Sequence, residues 1–245
     1  ITIVAFDEDP ITLGGVKAIK LDLRDKASID AAVQQCGGPV HALLSCAGAA
    51  DGTPGIEKIN FIGHRHLIDR LLKGDMLPPG SAIAMISSSA GLAWEKNLPL
   101  LQEYLATPDF DAAAAWIQAH PDKADYMWSK QAINAYVAAQ AYPLLKRGIR
   151  INAILPGPTD TPLAQANKEE WLGFGADYRE EAGIEASTPE EQAYALAFLC
   201  SDAAAGVSGI TMITDSGSTG SGTSGAFEPA REAVKFMRGD YGPVT

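Results

Sequence analysis

Short apolar runs and helical stretches alternate along this chain, and little else in its sequence restricts the possible folds so tightly. Val40-His41-Ala42-Leu43-Leu44-Ser45 passes into the small residues Cys46-Ala47-Gly48-Ala49-Ala50 and then into a helical stretch over about 56–72. Ala82-Ile83-Ala84-Met85-Ile86 ends in Ser87-Ser88-Ser89-Ala90-Gly91, residues 148–155 run into Pro156-Gly157-Pro158-Thr159-Asp160-Thr161-Pro162, and residues 209–215 form a last such run. Apolar strands separated by helices predict an α/β fold with a Rossmann-like, doubly wound, mostly parallel sheet. In sheets of that kind the ligand crevice lies beyond the carboxyl ends of the strands, which is where the small and hydroxylated residues fall.

Two earlier runs extend the pattern. Ile1-Thr2-Ile3-Val4-Ala5-Phe6 stops at Asp7-Glu8-Asp9-Pro10, and residues 16–23 end in Asp22 and Leu23. Ser28 then reads as the cap of a helix through Ile29, Ala32 and Val33 that stops at Gly37-Gly38-Pro39. An acid at the end of such a strand can accept both hydroxyls of an adenosine ribose, and three acids there would repel a 2′-phosphate, a pattern that favours NAD over NADP. A polar strand end with no ligand is an ordinary alternative. With 47% hydrophobic and 20% charged residues among 245, the chain can bury one large core, so a single domain is expected. A net charge of −11 argues against nucleic acid or an anionic membrane as partner. No apolar stretch approaches the ~20 residues of a membrane span, nothing resembles a signal peptide, and three cysteines without Cys-x-x-Cys spacing indicate neither disulfides nor zinc; the expected location is cytoplasmic.

Tyr126 and Lys130 stand four residues apart at the start of a helix, so both project from one face. An ammonium near a phenol favours the phenolate and makes the tyrosine a general acid or base. By itself Tyr-x-x-x-Lys is a weak signal. Asn60 lies inside a helical stretch, where asparagine is mildly unfavourable. Ser88, at a strand end, could donate a hydrogen bond to a substrate oxygen. His64 and His66, two apart, cannot share a helix face, and no metal site is expected from them. The stretch 92–125 is too apolar for a disordered loop and too long for a plain connection, and reads as helices forming a lid over the crevice or an interface.

Taken in order, Cys46-Ala47-Gly48, Asn60, Ser87-Ser88-x-x-Gly91, Tyr126-x-x-x-Lys130 and Pro156-Gly157-x-x-x-Thr161 resemble the short-chain dehydrogenase/reductase family over essentially the whole chain. The insertion, with 156–163, resembles the branch of 3α-hydroxysteroid and coniferyl-alcohol dehydrogenases. The resemblance implies that Tyr126 is the acid/base, that Lys130 lowers its pKa and binds the nicotinamide ribose, that Ser88 polarises the substrate oxygen and that Asn60 holds a relay water near Lys130. It further implies cofactor contacts from Asp7 to the adenine ribose, from Asp22 and Leu23 to the adenine, from Cys46, Ala47 and Gly48 to the adenine side, and from Pro156, Gly157, Thr159 and Thr161 to the nicotinamide end. NAD, a small apolar alcohol or carbonyl substrate walled by Trp171 and Phe174, and a homodimer or homotetramer packed through the Asn60 and Tyr126 helices are the corresponding expectations.

The family's opening strand, glycine-rich loop and first helix have no counterpart here, since the chain begins at what resembles the second strand. About thirty further residues upstream are therefore expected, the length of a strand-turn-helix unit. Gly220-Ser221-Gly222-Thr223-Ser224-Gly225 has the formal Gly-x-Gly-x-x-Gly spacing, but too little chain follows it for a return to a parallel strand, and residues 216–225 read instead as a flexible Gly/Ser tail. The reading is of an NAD-dependent alcohol dehydrogenase or reductase. Its alternative is a non-catalytic nucleotide-binding or regulatory protein of the same fold.

Overall fold

Among the described residues, 2–239, every strand pairs parallel to its neighbours, as alternation with helices requires. In the computed structural model the order is β1 (Val4–Asp7), β2 (Lys17–Lys20), α1 (Lys26–Cys36), β3 (Ala42–Ser45), a π-helical turn (Lys58–Ile62) continuing into α2 (Gly63–Lys73), β4 (Ala82–Ile86), α3 (Leu98–Leu105), α4 (Phe110–Ala119) and α5 (Tyr126–Leu145). Then follow β5 (Arg150–Pro156), α6 (Pro162–Ala166), α7 (Lys168–Trp171), α8 (Ala176–Ala182), α9 (Pro189–Cys200), β6 (Thr211–Thr214), α10 (Ser218–Ser224) and α11 (Arg231–Met237). Ile1, the expected start of the first strand, and residues 240–245 lie outside the described residues.

Strands β3-β4-β5-β6 form one sheet and β1-β2 a second, and the two sheets are not hydrogen-bonded to each other. One continuous apolar core joins them nonetheless. Ile19 and Leu21 beside β2, Ile29 of α1, Leu43 of β3, Ile68 of α2 and Ile133 of α5 all belong to it. The other face of the four-stranded sheet is covered by α9, through Leu196 and Leu199 against Ala84 and Ile154. Strands β4 and β5 are buried on both faces, whereas β3 alternates, with Leu43 buried and Leu44 49% exposed.

Three expectations are corrected. Helix α1 is capped by Asp25, whose Oδ1 accepts from Ala27 N at 2.9 Å; Ser28 lies inside the helix and its hydroxyl instead accepts from Asp22 N. The Gly/Ser stretch over 216–225 is not a tail. It forms α10, because the Asp215 carboxylate accepts from Gly217 N (3.0 Å) and Thr219 N (2.8 Å) while Gly222 packs so closely on α11 that an added Cβ would stand 2.6 Å from Val234 Cγ2. The 92–125 insertion is not a lid. Its Leu101, Tyr104, Ala113 and Ile117 are buried, and α3 and α4 lie along α5 and α2, so the insertion packs into the body of the protein.

Candidate active site

Tyr126 opens α5, whose first turn is fixed by Asp125, an N-cap residue with its carboxylate 2.6 Å from Trp128 N. One turn on, Lys130 is 4% exposed and its Nζ lies 5.2 Å from the Tyr126 ring centroid. The Ser88 hydroxyl lies beside the Tyr126 phenol, close enough to favour its ionised form. Two segments distant in sequence, the turn after β4 and the start of α5, thus bring Ser88, Tyr126 and Lys130 together. The spacing Ser88-x-x-Gly91 has a steric cause: a Cβ on Gly91 would stand 2.7 Å from Asn134 Nδ2 and 2.9 Å from Lys130 O, so only glycine lets the turn after β4 seat Ser88 against α5.

Electrostatically the site differs from the expectation. Burial holds the Tyr126 phenol above its ordinary value; the Ser88 hydroxyl acts in the opposite direction and the Asp51 carboxylate reinforces the rise. Burial also pushes the Lys130 ammonium down to about 8. The low-dielectric surroundings thus disfavour the charged form of each partner.

Asn60 is wholly buried and its amide is used in full view of the site: Oδ1 accepts from Ala49 N (2.7 Å), while Nδ2 donates to Ala49 O (3.0 Å) and Ser129 Oγ (3.2 Å). It therefore ties the loop after β3 to the first turn of α5. The π-helical turn that presents it, closed by an i to i+5 bond from Gly63 N to Lys58 O, explains how an asparagine comes to lie within an otherwise regular helix. His64, weighed in the sequence only as a metal ligand, is a second tether: Nε2 donates to Ala47 O (2.9 Å) and Nδ1 accepts from the Ser45 hydroxyl (2.5 Å). His66 pairs with Asp30, and no metal-holding cluster exists among the described residues.

The cofactor-facing positions divide into open and occupied. Cys46, Ala47 and Gly48 are exposed at the end of β3, and a Cβ on Gly48 would lie 3.5 Å from Asn60 Oδ1 and 3.8 Å from Lys130 Nζ. Asp7 is exposed at the end of β1; its carboxylate accepts from Asp9 N (3.0 Å) and its main-chain carbonyl from Leu21 N (2.8 Å). By contrast, the Asp22 carboxylate is held by Arg24 through three contacts of 2.8–3.0 Å, Arg24 also bridges to Glu8 (2.5 Å), and the Leu23 side chain is buried in the core. The Asp22 carboxylate is thus engaged by Arg24, and the Leu23 side chain faces the core. Pro156 and Gly157 line the other end, Gly157 packing within 2.8 Å (as a Cβ) of Asp215; Thr159 Oγ1 donates to Gly157 O and Thr161 Oγ1 caps α6. Trp171 of α7 packs against the Tyr126 ring at 5.1 Å, and Phe174 and Tyr178 border the hollow beside Gly157 and Pro158.

A nicotinamide cofactor fits these residues at its reactive end. Lys130 Nζ makes one hydrogen bond among the described residues, to Ile86 O at 3.0 Å, so two of the three donors of an ammonium remain for a ligand above the open Cys46–Gly48 floor.

Residues 112–219 match the family model described as Enoyl-(Acyl carrier protein) reductase. The 3-alpha-hydroxysteroid dehydrogenase/carbonyl reductase of Comamonas testosteroni is 30% identical over 226 residues, covering 83% of this chain and 87% of that protein. Coniferyl-alcohol dehydrogenase of Pseudomonas sp. (strain HR199 / DSM 7063) is 25% identical over 226 residues, covering 88% and 86%. The crystal structure of the 3-alpha-hydroxysteroid dehydrogenase from Pseudomonas sp. B-0831 complexed with NADH superposes with a TM-score of 0.66 at 23% identity, over 87% of this chain and 95% of that one.

Proposed function

Since this chain belongs to the short-chain dehydrogenase/reductase family, we propose that it is an NAD-dependent oxidoreductase interconverting an apolar secondary or aromatic alcohol and its carbonyl compound. The observation that carries the reading is the convergence of the Ser88 hydroxyl, the Tyr126 phenol and the Lys130 ammonium at the carboxyl ends of β4 and the start of α5. A bound nicotinamide would supply the hydride acceptor for oxidation or the donor for reduction.

The remaining chemistry belongs to the protein. Tyr126 takes the alcohol proton during oxidation and returns it to the carbonyl oxygen during reduction. Ser88 donates to the same substrate oxygen and fixes its distance from the phenol. Lys130 would hold the nicotinamide ribose, and Cys46, Ala47, Gly48, Pro156 and Gly157 would line the cofactor's path. Because the phenol lies above its ordinary value, oxidation needs the minority phenolate and should accelerate as pH rises, with reduction showing the opposite trend.

NAD is favoured over NADP by the exposed carboxylate of Asp7 with Glu8 and Asp9 beside it, and by the engagement of Arg24, the nearby cation, with Glu8 and Asp22. Trp171, Phe174 and Leu163 offer the walls for a hydroxysteroid-like or phenylpropanoid substrate. The decisive test combines Tyr126→Phe with calorimetric NADH titration and a panel of hydroxysteroids and coniferyl alcohol, read by reduced-cofactor absorbance. Turnover is expected to fall at least about 10²-fold with NADH affinity retained. Near wild-type turnover would remove the assignment, and tighter use of NADPH would overturn the reading of Asp7.

A further inference from the structure

The loop after β3, residues 46–55, is fastened to the site at several points. His64 holds Ala47 O, Asn60 holds both backbone groups of Ala49, and the Asp51 carboxylate accepts from the backbone N–H of Tyr126 at 2.7 Å. That last contact joins residues 75 apart in sequence and falls on the residue that bears the phenol. Asp125 already caps α5 through Trp128 N, so Asp51 fills a different N–H of the same first turn.

We propose that Asp51 is a positioning residue for Tyr126, its carboxylate clamping the loop after β3 onto the first turn of α5 so that the phenol stays in contact with Ser88. The proposal rests on Tyr126 being the acid/base. A carboxylate at a helix N-terminus is favoured by the helix dipole, which makes an otherwise exposed side chain an effective clamp. The same negative charge stands near the phenol and opposes its ionisation. The other groups around the ring are Lys130 on α5, the Ser88 hydroxyl from the turn after β4, Trp171 on α7 and Asp125, whose carboxylate is directed at Trp128 N. Asp51 therefore has two separable effects, one from its acceptor oxygen and one from its charge.

Asp51→Asn keeps an acceptor and removes the charge; Asp51→Ala removes both. Two measurements on the full chain, neither needing substrate, separate them: hydrogen exchange at the Tyr126 amide, and the pH titration of Tyr126 from the ¹³Cζ resonance of labelled tyrosine, assigned by its loss in Tyr126→Phe. Asp51→Ala is expected to speed exchange at that amide by about tenfold or more, as release of a capped N–H should. Asp51→Asn is expected to keep near wild-type exchange while the phenol titrates at lower pH than in the wild type. Wild-type exchange at the Tyr126 amide in Asp51→Ala would overturn the proposal; should Asp51→Ala not fold, Asp51→Leu, which keeps the bulk and removes the acceptor, is read the same way. Full turnover by Tyr126→Phe would sink the acid/base reading instead, and would leave both spectroscopic outcomes standing.

Discussion

At His64 the protein carries a histidine that does not charge near neutrality, because burial pushes it down to about 4 from the ordinary 6.5. Between those two values the unfolded chain binds a proton that the folded chain refuses, so this residue makes stability fall as pH drops from about 6.5 to 4, by up to about 3 kcal/mol. Urea unfolding of wild type and His64→Gln at pH 5 and pH 7 should show a smaller pH dependence in the variant, even if its stability at pH 7 is lower for want of the Ala47 contact. The sequence made Ser88, Tyr126 and Lys130 legible, since a four-residue spacing on a helix and a serine-rich strand end carry their geometry with them. It hid His64 and Asp51. A histidine beside a second histidine invites a metal reading, and nothing in an exposed aspartate announces a partner so far along the chain.

At the scale of elements, glycine governs how closely the turn after β4 approaches α5. Gly91→Ala would press a methyl group on Lys130 O and Asn134 Nδ2, forcing the turn outward. A loss of about 1–3 kcal/mol is expected from overpacking, with a fall in kcat as Ser88 leaves the phenol. Thermal unfolding and steady-state rates would check both, and a stable, fully active variant would show that the turn yields. The strand cores were readable, β4 to the residue, because its apolar run is bounded by Ser81 and Ser87. The helix over 56–72 was read as regular, since periodicity alone cannot register one extra residue in a turn. A Gly/Ser composition with little chain after it reads as a flexible tail, whereas here the smallness of Gly222 is what admits α11.

For the whole molecule, the insertion is part of the core. Leu101→Ala, at a fully buried site between α3 and α5, should cost about 2–5 kcal/mol of stability and leave the KM of the surviving enzyme unchanged, a split that a lid residue would not give. Its apolar content was evident in the sequence; its docking on α2 and α5 was not, because those contacts join distant segments. The strands divide into a pair and a quartet, yet one apolar core spans both sheets. The wide turn at Lys58–Ile62 also acts at this scale, by setting a phase difference between the segment before it and α2. Excising Ile59 would shorten that turn to an ordinary one and swing the neighbouring side chains by ~100°, carrying Asn60 off Ala49 while Leu67, Ile68 and Leu71 stay seated. Such a protein would melt as one body yet hold the Ser88 and Tyr126 oxygens slackly, which makes a single surplus residue the gear tooth that keeps the two halves of the scaffold in step.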